Sequence, residues 1–422
     1  MSFYTTYIKK SIQTIRFLIS IRKPKELLFR LLELIVGYPL YVLSYCVIRN
    51  PKKWVFGTNV GFVDNAKYLF IDVCERNEIK AYWIAPDRKT VKFIKQKGLS
   101  ACYKYSVCGL YHCLTAYVYV FTYHSKDINF WTSARAKKVN LWHGVGIKSG
   151  DGGKNNKGIK ANANFVTCFL MPHLFEKNDI FLSTSPLMNA HFQHMFSLNT
   201  DAIFETMYPR CVFLQKEEHK IDAFIQKYES SEIQDIVQKM KQFSRVFLYM
   251  PTWRGNFNDD FITEAGFDFK RLNQILKEKN QLFILKLHPA VKYCKEAYQD
   301  LDAVMFLDKQ IDIYPLLPFT HVLITDYSSI YYDFLLLKNK EFILYPFDYE
   351  TYILNSNRLA FDYNTYTPGV KAYNFDELMQ CIQNDSMDLG IDNKEWIRKQ
   401  FWGEKVVTTN DALYQKIKML LL

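Results

Sequence analysis

The 422-residue sequence has no apolar run of the ~20 residues that a membrane-spanning helix needs. The longest, "LIVGYPLYVLSYCVI", is about 15 residues and is interrupted by Gly37 and Pro39. No small-residue cleavage site follows it, which argues against a removed signal peptide. Nine cysteines, an odd number with no C-x-x-C pair, predict reduced thiols rather than a disulfide framework. Cys102, Cys108, His112 and Cys113 are close in sequence, but their spacings are not those of a zinc site, and core packing is expected of them. There is no G-x-x-x-x-G-K-[ST] loop and no G-x-G-x-x-G after a strand, so nucleotide hydrolysis and dinucleotide redox chemistry lose support. Internal repeats, low-complexity segments and recognised nucleic-acid modules are also missing.

The composition, 49% hydrophobic and 16% aromatic, suffices for two domains with full cores. The formal net charge is +11, and its location says more than its size. Residues 1–53 carry ten Lys or Arg against Glu26 and Glu33, a net +8, interleaved with Phe17, Leu18, Leu27, Leu28, Leu31 and Leu32. This pattern predicts a basic amphipathic segment over 1–52 lying on an anionic membrane surface, where each cation contributes about 1 kcal/mol. A first helix packed on the protein's own surface stays open as the alternative. The rest of the chain is near neutral, so no nucleic-acid partner is expected.

From Lys53 onward, strand-like runs alternate with helical patterns. "KWVFGT", "KAYWIA", "VYVFTY", "KVNLWH" and "DIFLST" give an N-terminal α/β domain over 53–216. The charged stretch 217–242 reads as a linker helix. "RVFLYM", "QLFILKLHP", "AVMFL", "HVLITD" and "EFILYP" give a second α/β domain over 243–400, followed by a C-terminal helix over 401–422. Two doubly wound parallel-sheet domains would face each other across a cleft, with ligands at the carboxyl ends of their strands.

Chemistry-bearing residues gather at those ends. In "HVLITDYSSIYYDFLLLK", a strand runs into Asp326, and Ser328 and Ser329 open a helical pattern reaching Leu337. Free backbone N–H groups and two hydroxyls there suit a phosphate, although the serines would serve equally as ordinary caps. "YMPTWRGN" offers Thr252 and Arg254, the latter as a fork for phosphate oxygens, and "LKLHPA" offers His288. In the first domain, "LWHGVGIKSGDGGKNNKG" sets His143 and Gly144 at a strand end before a glycine-rich loop carrying Lys148 and Lys154. Such a loop can approach a ligand closely.

The strings "LWHG", "PTWRG", "LKLHP", "ITDYSSIYYDFLLL", "YPFDYETY" and "NRLAFDYNTYTPG", with "WVFGTNVGFVDNAKYLF" before them, occur in the order found in the CDP-glycerol glycerophosphotransferase family of teichoic-acid and capsule synthesis. The sequence resembles that family from about Lys53 to Gly369. The resemblance implies a GT-B architecture, peripheral attachment to the cytoplasmic face of the membrane, and alditol-phosphate transfer from a CDP-linked donor with no metal or other cofactor. It also implies His143 as base, His288 as the second catalytic histidine, and Gly144, Thr252, Arg254, Asp326, Ser328, Ser329 and Arg358 as substrate-binding residues. The loop "WHGVGIKS" lacks the Thr and Pro of the family's usual W-H-G-T-P-x-K-K, and "RLAFDY" stands for its usual R-G-F-Y-F-D-Y.

The expected partners are CDP-glycerol or another CDP-alditol, a lipid-linked or polymeric acceptor, and an anionic membrane surface. The sequence leaves the alditol, the acceptor, the number of units added and homo-oligomerisation open. Two rival readings are a GT-B glycosyltransferase using a nucleotide-sugar donor and a non-catalytic membrane-surface protein that binds anionic polymers.

Overall fold

The computed structural model describes residues 24–149, 165–254, 261–288, 300–308, 310–355, 359–384, 388–390 and 392–421. Arg358, Lys154, the glycines from Gly150 to Gly158 and residues 1–23 lie outside the described residues. The first domain holds β1 (Asn50–Gly57), β2 (Lys80–Ala85), β3 (Ala101–Tyr103), β4 (Ala116–Phe121), β5 (Lys137–Asn140), β6 (Ile180–Ser183) and β7 (Ile203–Glu205). They form one parallel sheet in the order β3-β2-β1-β4-β5-β6-β7.

The second domain holds β8 (Arg245–Tyr249), β9 (Gln281–Leu285), β10 (Val304–Phe306), β11 (Val322–Thr325), β12 (Glu341–Leu344) and β13 (Val370–Lys371). Their order is β10-β9-β8-β11-β12-β13, again all parallel. Strands such as β9 and β11 are buried along their whole length, as sheets covered on both faces require. Each sheet reverses its winding once, between β1 and β4 and between β8 and β11. Those switch points are where loops splay apart and leave a crevice.

The stretch expected as one linker helix is two, Glu218–Tyr228 and Ser231–Met240. Ser230 separates them because its hydroxyl accepts from the Ile233 N–H and starts the second helix afresh. Beyond the second sheet, helix Lys394–Trp402 bridges the domains. The Phe401 carbonyl accepts from Thr184 of the first, and Trp402 Nε1 donates to the Tyr332 carbonyl of the second. Helix Asp411–Lys418 returns to the first domain, where Tyr414 packs 5.7 Å from Trp54 and Arg76 pairs with Asp411 at 2.6 Å. Buried Lys67 adds a further tie, held at 2.5 Å by Glu229 and at 2.9 Å by Asp312.

Residues Pro24–Cys46 form a single 23-residue helix that continues through Gly37 and Pro39. Gly37 is needed because a Cβ there would stand 2.4 Å from the Trp131 ring. That face is aromatic and packed, with Tyr38 on Trp131 and Tyr41 on Phe130. The opposite face is bare. Leu28, Leu31, Leu32, Ile35, Val36, Val42 and Leu43 are each at least 51% exposed. No helix among the described residues is long and apolar enough to cross a membrane.

The expectation of reduced thiols is corrected at one pair. Cys102 at the end strand β3 and Cys108 on helix Val107–Thr115 form a disulfide with Cα atoms 6.0 Å apart. A sharp chain reversal between β3 and the helix brings the pair to bridging distance, which the six-residue spacing alone does not announce. His112 stands beside them with a potential ligand atom within 4.8 Å of both sulfurs. Cys113 is buried elsewhere, and burial pushes its thiol up to about 12.

Candidate active site

His143 leaves β5 through a backbone turn at Trp142, whose φ of +51° is uncommon for a bulky residue. Two contacts hold that turn: Trp142 N–H donates to Asn140 Oδ1 at 2.9 Å, and Asn65 Nδ2 donates to the Trp142 carbonyl at 2.8 Å. The imidazole is half-buried and stacked on Tyr123, 4.2 Å between centroids. Tyr123 follows β4, so the histidine overlooks the switch point of the first sheet. Burial, then the charges of Arg210 and Lys148, lower its pKa to about 3. Its buried Nδ1 has no hydrogen-bond partner among the described residues. A neutral imidazole with an unused nitrogen is equipped to accept a proton.

The loop after His143 reaches the second domain. A Cβ on Gly144, whose φ is +157°, would stand 3.2 Å from Ser329 Oγ, and one on Gly146 would stand 3.5 Å from Ser329 Cβ. The Ala360 N–H donates to the Ile147 carbonyl at 2.6 Å, and Lys148 pairs with Leu359 in an isolated antiparallel bridge. Lys148 Nζ then reaches Thr252 Oγ1 at 3.4 Å. Burial lowers the Lys148 pKa to about 8, with Asp326 opposing and Arg254 assisting the shift.

Thr252 and Arg254 follow β8, while Asp326, Ser328 and Ser329 follow β11, so all five flank the switch point of the second sheet. His288 follows the neighbouring β9 and is exposed, stacked 5.0 Å from Trp253. The serine turn differs from its sequence reading. The helix after it is only Ile330–Phe334, Ser329 sits in helical backbone, and its hydroxyl does not cap. Neither serine side chain has a hydrogen-bond partner among the described residues. The Ser329 hydroxyl therefore stands uncommitted against the His143 loop at Gly144.

Arg254 also departs from its expected role as an open phosphate fork. Its Nε and Nη2 meet Asp348 at 2.8 and 2.9 Å, and its Nη1 meets Asp326 at 2.5 Å. The side chain is enclosed by Tyr327, Phe347 and Tyr352. The fully buried Asp326 accepts from the N–H groups of Thr252 and Tyr327 as well as from Arg254. These two residues fix the β8 and β11 loops to each other. Of the other basic side chains around these loops, Lys148 reaches Thr252 and His288 stacks on Trp253.

Sequence reasoning missed Arg210. This buried residue pairs with Asp64 at 2.6 Å and with Asp333 at 2.8 Å, and donates to the His143 carbonyl at 2.7 Å. Tyr314 lies under its guanidinium at 4.5 Å. The one available signal was a lone arginine inside the apolar "MYPRCVFL".

Known proteins resemble this chain in sequence and in fold. The chain is 26% identical over 297 residues to a teichoic acid ribitol-phosphate primase of Bacillus spizizenii, covering 68% of this chain and 71% of that one. It is 25% identical over 332 residues to a teichoic acid glycerol-phosphate transferase of Staphylococcus aureus, covering 76% of this chain and 80% of that one. A variant of the wall teichoic acid polymerase TagF, soaked with CDPG, superposes with a TM-score of 0.67 at 19% identity, over 99% of this chain and 97% of that one. That likeness gives the fold as GT-B-like. Residues 40–405 match the family model, and the chain belongs to the CDP-glycerol:poly(glycerophosphate) glycerophosphotransferase family.

Proposed function

We propose that this chain transfers an alditol phosphate from a CDP-linked donor to a hydroxyl of a teichoic-acid-like acceptor, releasing CMP. The observation that supports the reading is the loop that follows His143, which brings Gly144 and Gly146 against Ser329 at the switch point of the second sheet. The relatives act on glycerol and ribitol phosphates alike, so both CDP-alditols are candidate donors. In the proposed step an acceptor hydroxyl attacks the donor phosphorus nearest the alditol. Its proton passes to His143, a bond forms from the acceptor oxygen to phosphorus, and the phosphorus–oxygen bond to CMP breaks with the electron pair leaving on CMP.

Ser328, Ser329, Lys148 and His288 bind the pyrophosphate in this reading, while Gly144 lets the loop backbone approach them. With a pKa of about 3, His143 on its own is a weak base. Entry of a pyrophosphate anion favours the imidazolium and moves that pKa towards neutrality. Arg254 and Asp326 position Thr252 through the contacts described above.

The bare apolar face of helix Pro24–Cys46 supports attachment to a membrane surface. A lipid-linked acceptor would then be met at the surface that carries it. His143→Asn tests the chemistry, with CMP release followed for CDP-glycerol, CDP-ribitol and a UDP-sugar. Turnover with a CDP-alditol should fall at least ~10²-fold while donor affinity is retained. Equal turnover in the variant removes His143 from the step, and preference for the UDP-sugar replaces this reading with sugar transfer.

A further inference from the structure

A second concave site lies far from the cleft, at the outer edge of the first sheet. Helix Arg88–Gln96 and β3 flank a shallow, open cavity of about 650 Å³ lined by Arg88, Lys92, Lys95, Tyr103, Ser106 and Cys108 among others. No acidic side chain lines it. β3 is four strands from β5, about 19 Å at the ordinary spacing, so the cavity is separate from the residues around His143.

The three cations stand at i, i+4 and i+7 on one helix face, an arrangement that repels itself unless something neutralises it. None of them has a carboxylate partner among the described residues. The nearest acid in sequence, Asp87, is occupied at the helix start, accepting from the N–H and hydroxyl of Thr90. Ser106, also in the lining, caps the following helix by accepting from the Gly109 N–H. The cavity is therefore cationic and uncompensated. It suits an anion with several oxygens.

Apolar side chains stand next to its lining in sequence: Val107, between Ser106 and Cys108, is 86% exposed, and Tyr105 is 53% exposed. Helix Val107–Thr115 is joined to the base of helix Pro24–Cys46 by Arg49, which donates to the carbonyls of Cys113 and Ala116. Ile48, just before that arginine, is 91% exposed.

We infer that this cavity binds the phosphate headgroup of an anionic phospholipid, with Tyr105 and Val107 entering the acyl boundary beside it. The inference rests on the membrane-surface reading above and gives it a specific lipid contact. The exposed Tyr105 and Val107 favour a lipid over a soluble phosphate.

The test uses the full chain and co-sedimentation with vesicles of phosphatidylglycerol or of phosphatidylcholine. The variant Arg88→Gln/Lys92→Gln/Lys95→Gln is compared with the charge-matched control Lys216→Gln/Lys270→Gln/Lys405→Gln, with melting temperatures to verify folding and Lys92→Gln alone as a milder second variant. The cavity variant should lose on the order of a hundredfold in affinity for phosphatidylglycerol, as expected for three cations at an anionic surface, and the control much less. Equal losses in the two triple variants overturn the inference but leave membrane attachment standing. Equal binding of the wild-type chain to both vesicles overturns the inference alone, and binding to neither overturns membrane attachment as well. Displacement of the chain from vesicles by millimolar glycerol 1-phosphate would show a soluble-phosphate site and overturn the lipid assignment.

Discussion

Arg210 Nη2 donates to the carbonyl oxygen of His143 at 2.7 Å and lies 2.8 Å from the carboxylate of Asp333 in the opposite domain. The backbone of the candidate base is thereby fixed by charge drawn from across the cleft. Arg210→Ala would strand Asp333 and Asp64 in a buried setting, so it should destabilise the fold by about 3–5 kcal/mol, read from denaturant midpoints. Arg210→Lys keeps the charge but loses the planar fork. Its turnover should fall at least about tenfold, because a misplaced reacting group is costly in rate.

Replacing Ser328 and Ser329 together by Ala should weaken CDP-alditol binding measured by calorimetry. An N-cap loss ordinarily costs about 0.5–2 kcal/mol. Neither hydroxyl has a capping partner here, so the melting temperature should stay unchanged. Unaltered donor affinity would remove the serines from the pyrophosphate site.

The pH profile should have its alkaline limb set by Lys148. With a pKa of about 8, Lys148 carries its charge below that value and loses it as pH rises through it. The kcat/KM for a CDP-alditol, which reports the free enzyme, should therefore decline above about pH 8, and Lys148→Arg should shift the decline upward. His143, with its pKa near 3, should contribute no acid limb to kcat/KM between about pH 5 and 7.

Turnover should persist in EDTA, since hydroxyls, Lys148 and His288 are the groups proposed to hold the pyrophosphate. Loss of CMP release in the chelator, restored by Mg²⁺ or Mn²⁺, would overturn that expectation.

The long strands were legible because each is buried on both faces and reads as an unbroken apolar run, as in "QLFIL" of β9. β3, β7 and β13 were not, because they are only two or three residues long, whereas the equally short β10 was read because Ala303 and Leu307 extend its apolar run to "AVMFL". His143, His288 and the serine pair were visible as polar residues at strand ends. The meaning of Arg254 and Arg210 was hidden, since their carboxylate partners are 72 to 146 residues away. Helix Pro24–Cys46 ran through two residues that usually end helices. Trp131, far along the chain, makes Gly37 necessary, and Pro39 lies on the exposed side.

The return of helix Asp411–Lys418 to the first domain bears on how the chain is made. Tyr414 donates to Glu78 across a separation of 336 residues and covers Trp54 of β1. At ordinary translation rates the first domain waits on the order of tens of seconds for that helix. During that interval its central strand lacks part of its cover. Fragments ending before residue 411 should be sticky and poorly soluble even with the first sheet complete, and a nascent chain of this kind is a natural client for holding chaperones.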